Sequence, residues 1–377
     1  MTDLQLPRSQ LVDIVTALRQ RIDDGLVAGG EIKALPSYFR RPRRPRGTAV
    51  VLDTGGTRMR GTLVDLVDPP GDSPPSWAAE DLVPRAAGTT ARDFFDRHVD
   101  LIRPLSPPPN TPVGYCFSYP STSTETRDAR LLAWTKGIDI PGMVGSLVGD
   151  GLRQALTEAR LEPGPVRVLN DTVAALLGGS FVQQEANFEA EVGLIAGTGT
   201  NMASYFRGPR WSGSMAINLE SGNFDPPHRT DVDRAVDSAS SNPGRQRFEK
   251  AVSGHYLPRL FARLCPDEPG FDVAQGSKRL VELRRGDGTA RGAQVAAHLL
   301  DRSADLVAAG LAGVFEALSM PASAAVFAEG GLFWSADGYA DRVRQRLADL
   351  TQNSCDFDIL HIPQANLWGA ACAALDD

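Results

Sequence analysis

Near the start of the chain, Leu11, Ile14, Val15, Leu18 and Ile22 recur at helical spacing, with Asp13, Arg19, Arg21 and Asp23 between them. Apolar positions three and four apart share one face, so the pattern predicts an amphipathic helix with Ser9 as its N-cap. It is not the continuous apolar core of a secretory signal. Further helices are predicted over 144–159, 172–184, 296–319 and 337–351. The most apolar stretch, Leu306 to Leu318, is too short to cross a membrane and carries Asp305 and Glu316 at its ends. It reads as a buried helix.

Two short apolar runs end alike. Ala49 to Leu52 enters Asp53-Thr54-Gly55-Gly56-Thr57, and Val192 to Ala196 enters Gly197-Thr198-Gly199-Thr200-Asn201. Each reads as a strand, a Gly-rich turn and a returning strand. Two such units about one domain apart suggest a duplicated core, and the class is α/β with two lobes. The run RRPRRPR at 40–46 reads as a solvated, proline-stiffened linker between the first helix and the first strand. The proline-rich stretches 67–77 and 104–112 read as surface loops.

Composition then narrows the partners. The 377 residues are enough for two ordinary domains, and 42% hydrophobic with 23% charged residues is the balance of a globular protein in water. A net charge of −7 speaks against nucleic acid as a main partner, because phosphate neutralisation needs a basic face. No membrane partner is expected. Cys116, Cys265, Cys355 and Cys372 are scattered without a CxxC pair, so neither a zinc site nor a disulfide framework is expected. Free thiols and the acidic balance suit a cytoplasmic protein. A catalytic lysine has four candidates: Lys33, Lys136, Lys250 and Lys278.

The turns are ambiguous one at a time. Glycines let backbone amides approach an anion, a nearby Asp can hold hydrated magnesium, and an Arg such as Arg60 can pair with phosphate oxygens. A plain β-hairpin explains DTGGT equally well, and GTGTN shares GTG with dinucleotide fingerprints. Both turns in one chain favour a nucleotide held between two hairpins. Asn170-Asp171-Thr172 stands at a strand end before a helix, where Asp171 or Thr172 serves as an N-cap or Asp171 as a general base. Ser118, Trp134-Thr135-Lys136-Gly137 and Ile217-Asn218-Leu219-Glu220 place polar groups beside apolar runs. Singly, each reads as an ordinary surface feature.

Taken in order, these segments resemble the hexokinase family, of hexokinase or glucokinase type within the actin-like sugar-kinase superfamily. The stretches are VLDTGGTRMRGTLVDL, GYCFSYPSTSTETRDARLLAWTKG, VLNDTVAALLGG, EVGLIAGTGTNMASYF, INLESGNFD and SSNPGRQRFEKAVSGHYL. RSADLVAAGLAGVFEAL, AVFAEGGLFW and WGAACAAL follow, so the likeness runs over nearly the whole chain. Four places depart from the family pattern: Arg58-Met59, Ser221, Glu329 with Gly331, and the segment before Trp368.

The resemblance implies a two-lobed actin/hexokinase-like (ribonuclease H-like) fold with a central cleft. It implies an N-terminal helix and linker at 1–46 packing on the large domain, a small domain of 47–170 plus 367–377, and a large domain of 171–366. It implies transfer of the γ-phosphate of ATP to the 6-hydroxyl of a hexose such as glucose, with Mg2+, by a monomer or homodimer. Asp171, Lys136 and Arg60 would be catalytic. Ser118, Thr135, Lys136, Asn170, Asp171, Asn201, Glu220 and Glu249 would hold the sugar. Asp53, Gly55, Gly56, Thr57, Arg60, Gly197, Thr198, Gly199, Thr200, Gly254 and Gly330 would meet the nucleotide, Asp53 through magnesium. An NAD-dependent oxidoreductase leaves WTKG and NDT unexplained. A non-catalytic sugar sensor would usually have lost the base or the turns.

Overall fold

A computed structural model describes residues 4–67, 75–86, 88–135 and 137–376. The chain begins with helix α1 (Arg8–Ala28) and the short strand β1 (Leu35–Pro36). Next come β2 (Gly47–Thr54), β3 (Arg58–Leu66), β4 (Ala79–Leu82), α2 (Ala91–Ile102), β5 (Thr111–Phe117), β6 (Ser121–Ser123), β7 (Ala129–Leu131), α3 (Val148–Glu158) and β8 (Pro163–Leu169). Helix α4 (Asp171–Val182) leads into β9 (Ala190–Ala196), β10 (Thr200–Arg207) and β11 (Ser214–Asn218). Helices α5 (Asp231–Ser238), α6 (Arg247–Val252), α7 (Leu257–Leu264), α8 (Gly276–Arg284) and α9 (Ala290–Ala317) follow. The chain closes with β12 (Ser323–Glu329), α10 (Gly331–Ser335), α11 (Tyr339–Leu350), β13 (Asp356–Leu360) and α12 (Ala365–Leu375).

The two main sheets repeat one topology. Their orders are β4-β3-β2-β5-β8 and β11-β10-β9-β12-β13, with β1 added to the outer edge of β11. In each, the first three strands in chain order run antiparallel and the last two join in parallel. The expected duplication is therefore visible as topology, and each sheet belongs to one lobe of the actin-like fold. Each Gly-rich turn joins the central strand of its sheet to the next one.

The expected helices are present with shifted ends. Residues 144–147 stay outside α3, and α9 begins six residues before the expected 296. The N-cap of α1 is Pro7, not Ser9: Pro7 is extended and its carbonyl accepts from Leu11, which leaves Ser9 inside the first turn. The arginine run at 40–46 is irregular but not wholly solvated. Arg41 reaches Glu191 at 2.7 Å and Arg44 reaches Glu185 at 2.8 Å, which pins the run to the second lobe. Part of the expected 67–77 loop, residues 68–74, lies outside the described residues.

Two helices carry both sheets. Helices α4 and α12 are apolar on nearly every face, and such a helix must be covered all round. They cross each other, with α12 also lying on β2 and β5 and α4 on β9. Glycines make the crossing possible. A Cβ at Gly178 would stand 2.9 Å from the Gly369 nitrogen, and one at Gly369 would stand 2.9 Å from the Ala174 Cα and overlap its carbonyl. Overpacking of this kind costs about 1–3 kcal/mol or more. Gly369→Ala is expected to lower the thermal midpoint by several degrees, whereas Gly331→Ala, where an added Cβ meets nothing, is expected to leave it nearly unchanged. Calorimetry on the two variants checks this, and equal midpoints would mean that the helices part freely.

Candidate active site

Register builds the first turn. Antiparallel pairing sets Asp53 of β2 opposite Arg60 of β3, and the carboxylate lies 3.7 Å from the guanidinium. Arg60 also lies 3.7 Å from Glu80 and stacks over the Trp77 ring. Between the two strands, Gly55 donates to the Arg58 carbonyl at 3.0 Å and closes the hairpin through Gly56 and Thr57. Tyr119 donates to the Gly55 carbonyl at 2.6 Å, and the Ser118 amide donates to the Thr54 carbonyl at 3.2 Å. The segment expected to bind sugar is thus tied directly to the first Gly turn. Thr135 is held within its own loop by the Ile138 amide at 3.2 Å. Lys136 lies outside the described residues.

A buried polar triad anchors this turn from below. Thr54, His98 and Tyr115 are fully buried. The His98 Nδ1 lies 2.9 Å from the Phe94 carbonyl, which can only accept, so Nδ1 carries the proton. Burial holds the imidazole down at about 4, and it is neutral at physiological pH. Its Nε2 faces the Tyr115 hydroxyl at 2.7 Å and the Thr54 hydroxyl at 3.0 Å, and these two hydroxyls are 3.0 Å apart.

The second turn is knitted to its neighbours by backbone. Gly197 donates to the Gly199 carbonyl at 3.0 Å, Gly254 to Gly197 at 2.8 Å and His255 to Thr198 at 3.2 Å. Gly330 has φ of 122°, open to glycine alone, and a Cβ on Gly197 would stand 3.2 Å from its Cα. Gly197, Thr198, Gly254 and Gly331 open onto a cavity of about 920 Å³, lined further on by Arg259, Ser277 and Lys278. That volume suits a nucleoside with its phosphates at the turn. Burial raises the Glu329 carboxyl to about 7, offset in part by the Ala365 amide at the start of α12.

Several residues expected to hold the sugar lie in one network around the second sheet. Asn201 donates to Asn218 at 2.7 Å, and Asn218 donates to Glu220 at 2.8 Å. The Asn201 oxygen accepts from the Met202 and Ser221 amides. Glu220 sits at positive φ, held by its own amide bond to Asn218. Glu249 accepts from the Thr200 amide at 3.2 Å, beneath Gly199 and Gly222. Asn170, rather than Asp171 or Thr172, is the N-cap of α4, and its side chain accepts from the Thr172 amide at 2.9 Å. Asp171 is the first helical residue and accepts from the same amide at 2.8 Å. Its negative charge and, above all, burial push the Glu220 carboxyl upward, while the Asn218 bond and Lys33 oppose this. Asp171 and Glu220 are therefore near enough for their charges to oppose each other.

Sequence reasoning overlooked several of these groups. Asn218 stood inside a quoted run without a role, yet it bridges Asn201 and Glu220. Lys33 was counted only as one of four lysines; pairing of Leu35 with Asn218 brings it near Glu220. Nothing in the pattern linked Thr54 of the first Gly turn, His98 of a charged helical stretch and Tyr115 of an apolar run, because the triad exists only once β2, β5 and α2 pack.

Comparison with known proteins agrees with this geometry. The family described as Hexokinase matches in two parts, over residues 1–181 and over residues 191–267 with 284–376. Hexokinase-2 of Solanum tuberosum is 33% identical over 68% of this chain and 56% of its own length. Hexokinase-3 of Homo sapiens is 31% identical over 76% of this chain and 32% of its own length. The chain thus spans about half of the plant relative and a third of the human one. Among solved structures, a Schistosoma mansoni hexokinase complexed with glucose superposes with a TM-score of 0.84 at 23% identity, covering 100% of this chain and 97% of that one. A ROK family glucokinase from Streptomyces griseus, in complex with glucose and AMPPNP, gives 0.57 at 20% identity over 87% of this chain and 99% of that one. These two likenesses speak for the fold, and the sequence matches for descent: the chain belongs to the hexokinase family.

Proposed function

We propose that the chain is a hexokinase that transfers the γ-phosphate of ATP to the 6-hydroxyl of a hexose, with glucose as the first candidate. The observation that carries this reading is the position of Asp171. It opens α4 beside the Asn170 cap, acts by its charge on Glu220, and belongs to the helix that packs against strands of both repeated sheets. Glucose appears in the names of both structural neighbours, and an ATP analogue in one of them. A sensor without catalysis has no use for a carboxylate at that point together with two intact Gly turns. We assign the small lobe to 47–170 with 367–377 and the large lobe to 171–366, with 1–46 on the latter.

In the reaction, Asp171 accepts the proton of the 6-hydroxyl as its oxygen attacks the γ-phosphorus. The bond from that phosphorus to the bridging oxygen breaks, ADP leaves, and the proton remains on Asp171. Ser118, Thr135, Lys136, Asn170, Asn201, Glu220 and Glu249 orient the sugar, whose hydroxyls need paired donors and acceptors once dry. Gly55, Gly56, Thr57 and Arg60 in one lobe hold the phosphates, as do Gly197, Thr198, Gly199 and Thr200 in the other. Gly254 and Gly330 border the nucleoside. Phosphoryl transfer depends on such positioning and charge, and Lys136 and Arg60 supply charge at the moving group. Magnesium fits at Asp53, a nearly buried carboxylate 6% exposed at the end of β2 beside the turn. One hard oxygen ligand with phosphate oxygens is the usual magnesium set. When bound, the ion neutralises phosphate charge. The proposed setting is cytoplasmic, as a monomer or homodimer.

Positioned acid–base catalysis contributes about 10²–10⁴-fold. Asp171→Asn is expected to lower kcat at least that far while sugar binding survives. A coupled ADP-release assay beside calorimetric sugar titration measures both, and near-normal turnover in the folded variant would sink the assignment.

Glu220 supplies a pH prediction. Its folded pKa lies above the unfolded one, because burial and Asp171 both disfavour its charge. Above the folded pKa the carboxylate is charged in both states, so its burial costs stability. As pH falls through that value, the folded state takes the proton first and the cost is relieved. Glu220→Gln is therefore expected to be more heat-stable than wild type at neutral pH without sugar, with the gain fading on acidification. Its sugar KM is expected to rise. Thermal melts between neutral and mildly acidic pH check the sign, and a less stable variant at neutral pH would contradict it.

A further inference from the structure

Lys250, the residue after Glu249, enters a buried ion pair that the reaction above does not use. Its side chain in α6 is 3% exposed, that of Asp237 in α5 is 10% exposed, and Nζ lies 2.6 Å from the Asp237 carboxylate. The ammonium also donates to the Asn242 carbonyl at 2.8 Å. Asp237 is met as well by the Gly244 amide at 3.0 Å, by Arg247 at 3.2 Å and by Arg229 at 3.6 Å. One carboxylate thus joins the end of α5, the loop 239–246 and the start of α6. Burying two charges is a poor source of stability, because their desolvation offsets most of the attraction. A pair kept in spite of that fits a need for position.

With only six residues, α6 is too short to hold its place without contacts from outside. Residues 249 and 250 stand about 100° apart around the axis of such a helix, so whatever fixes Lys250 fixes the rotation at which Glu249 is presented. Glu249 accepts from the Thr200 amide at 3.2 Å. Just after α6, Gly254 and His255 donate to the Gly197 and Thr198 carbonyls, and near its start Phe248 donates to the Phe224 carbonyl at 2.8 Å. Phe224 closes the turn that Glu220 opens. We propose that Lys250 and Asp237 are positioning residues: their ion pair sets the rotation of α6, and through it the place of Glu249 against the second Gly turn. They act through Glu249 and not on substrate themselves.

This inference rests on the hexokinase reading, and the test separates the two. Lys250→Met keeps the length of the side chain and leaves Asp237 with Arg247, Arg229 and the Gly244 amide. No buried charge is stranded, so the variant is expected to fold with a thermal midpoint near wild type. It is compared with wild type, Glu249→Gln and the double variant by calorimetric titration with glucose. Each single variant is expected to bind glucose about 10-fold more weakly, the scale of one hydrogen bond to a charged group. Residues that act through one contact do not add, so the double variant is expected to fall within about threefold of either single one. Losses that multiply to about 100-fold in the double variant would overturn the proposal, as would wild-type glucose affinity in Lys250→Met. Hydrogen exchange at the Thr200 amide needs no sugar. Its protection is expected to drop about 10-fold in Lys250→Met, while the Met202 amide, held by Asn201, keeps its own. Unchanged protection at Thr200 overturns the proposal. So does a lower midpoint with protection lost across the whole second lobe, which would make the pair a structural support only. If wild type binds no hexose but Thr200 is released in Lys250→Met, the hexokinase reading fails and the positioning stands.

Discussion

The close crossing of α4 and α12 is the constraint on which the rest of the structure depends. Gly178 and Gly369 bring the two backbones together with no side chain between them. The same economy continues on either side. A Cβ at Gly114 of β5 would stand 3.3 Å from the Ala370 Cα, and one at Gly193 of β9 would stand 2.7 Å from the Thr172 carbonyl. Four glycines therefore set the spacing from one sheet, through both helices, to the other. Asp171 is the first residue of one of these helices, so the proposed base is carried by an element fixed to both sheets.

The fold was legible for a physical reason. Strands buried on both faces read as unbroken apolar runs, and the turn after Ala196 is crowded enough to favour glycine whatever the ligand, a Cβ on Gly199 standing 2.8 Å from the Glu249 carboxylate. Helix ends were less legible, because they depend on single local bonds: Pro7 displaced Ser9 as the start of α1, and Asn170 took the capping role allowed to Asp171 or Thr172. The site was legible where a residue lay in a segment resembling the family, as with Glu220 and Glu249. It was not where function comes from assembly. Asn218 comes beside Asn201 and Glu220 by its register with Ala203. The arginine run at 40–46 shows the same limit: its charge suggested solvent, and only the fold revealed Glu185 and Glu191 as its partners.

Beneath each half of the site lies a small polar network in an apolar setting, and the two differ in kind. The triad of Thr54, His98 and Tyr115 satisfies itself with a neutral imidazole and two hydroxyls. Leaving such groups unpaired would cost about 1–3 kcal/mol each, so the triad acts as a three-way lock on the end of β2. The network of Asn201, Asn218 and Glu220 is open at one end. Its amides are spent on one another and on backbone, but the Glu220 carboxylate is held chiefly by one amide, and burial raises its pKa.

That difference fits the division of labour in the proposed reaction. The first turn must hold still under a mobile polyphosphate, so its support is closed, neutral and fully buried. The sugar side must exchange water for hydroxyls at each turnover, so it keeps an acceptor whose burial is compensated only when a donor arrives. A raised carboxylate is unfavourable while empty, and a sugar hydroxyl restores a bond that water supplied less well in a confined site. Sugar binding then gains from relief of that cost as well as from the bond formed. It gains more when the opposite lobe closes and excludes competing water. At the first turn the arginines Arg58 and Arg60 are matched by the carboxylates Glu80 and Asp53, whereas Glu220 and Glu249, on the side proposed for the sugar, are held mainly by amides.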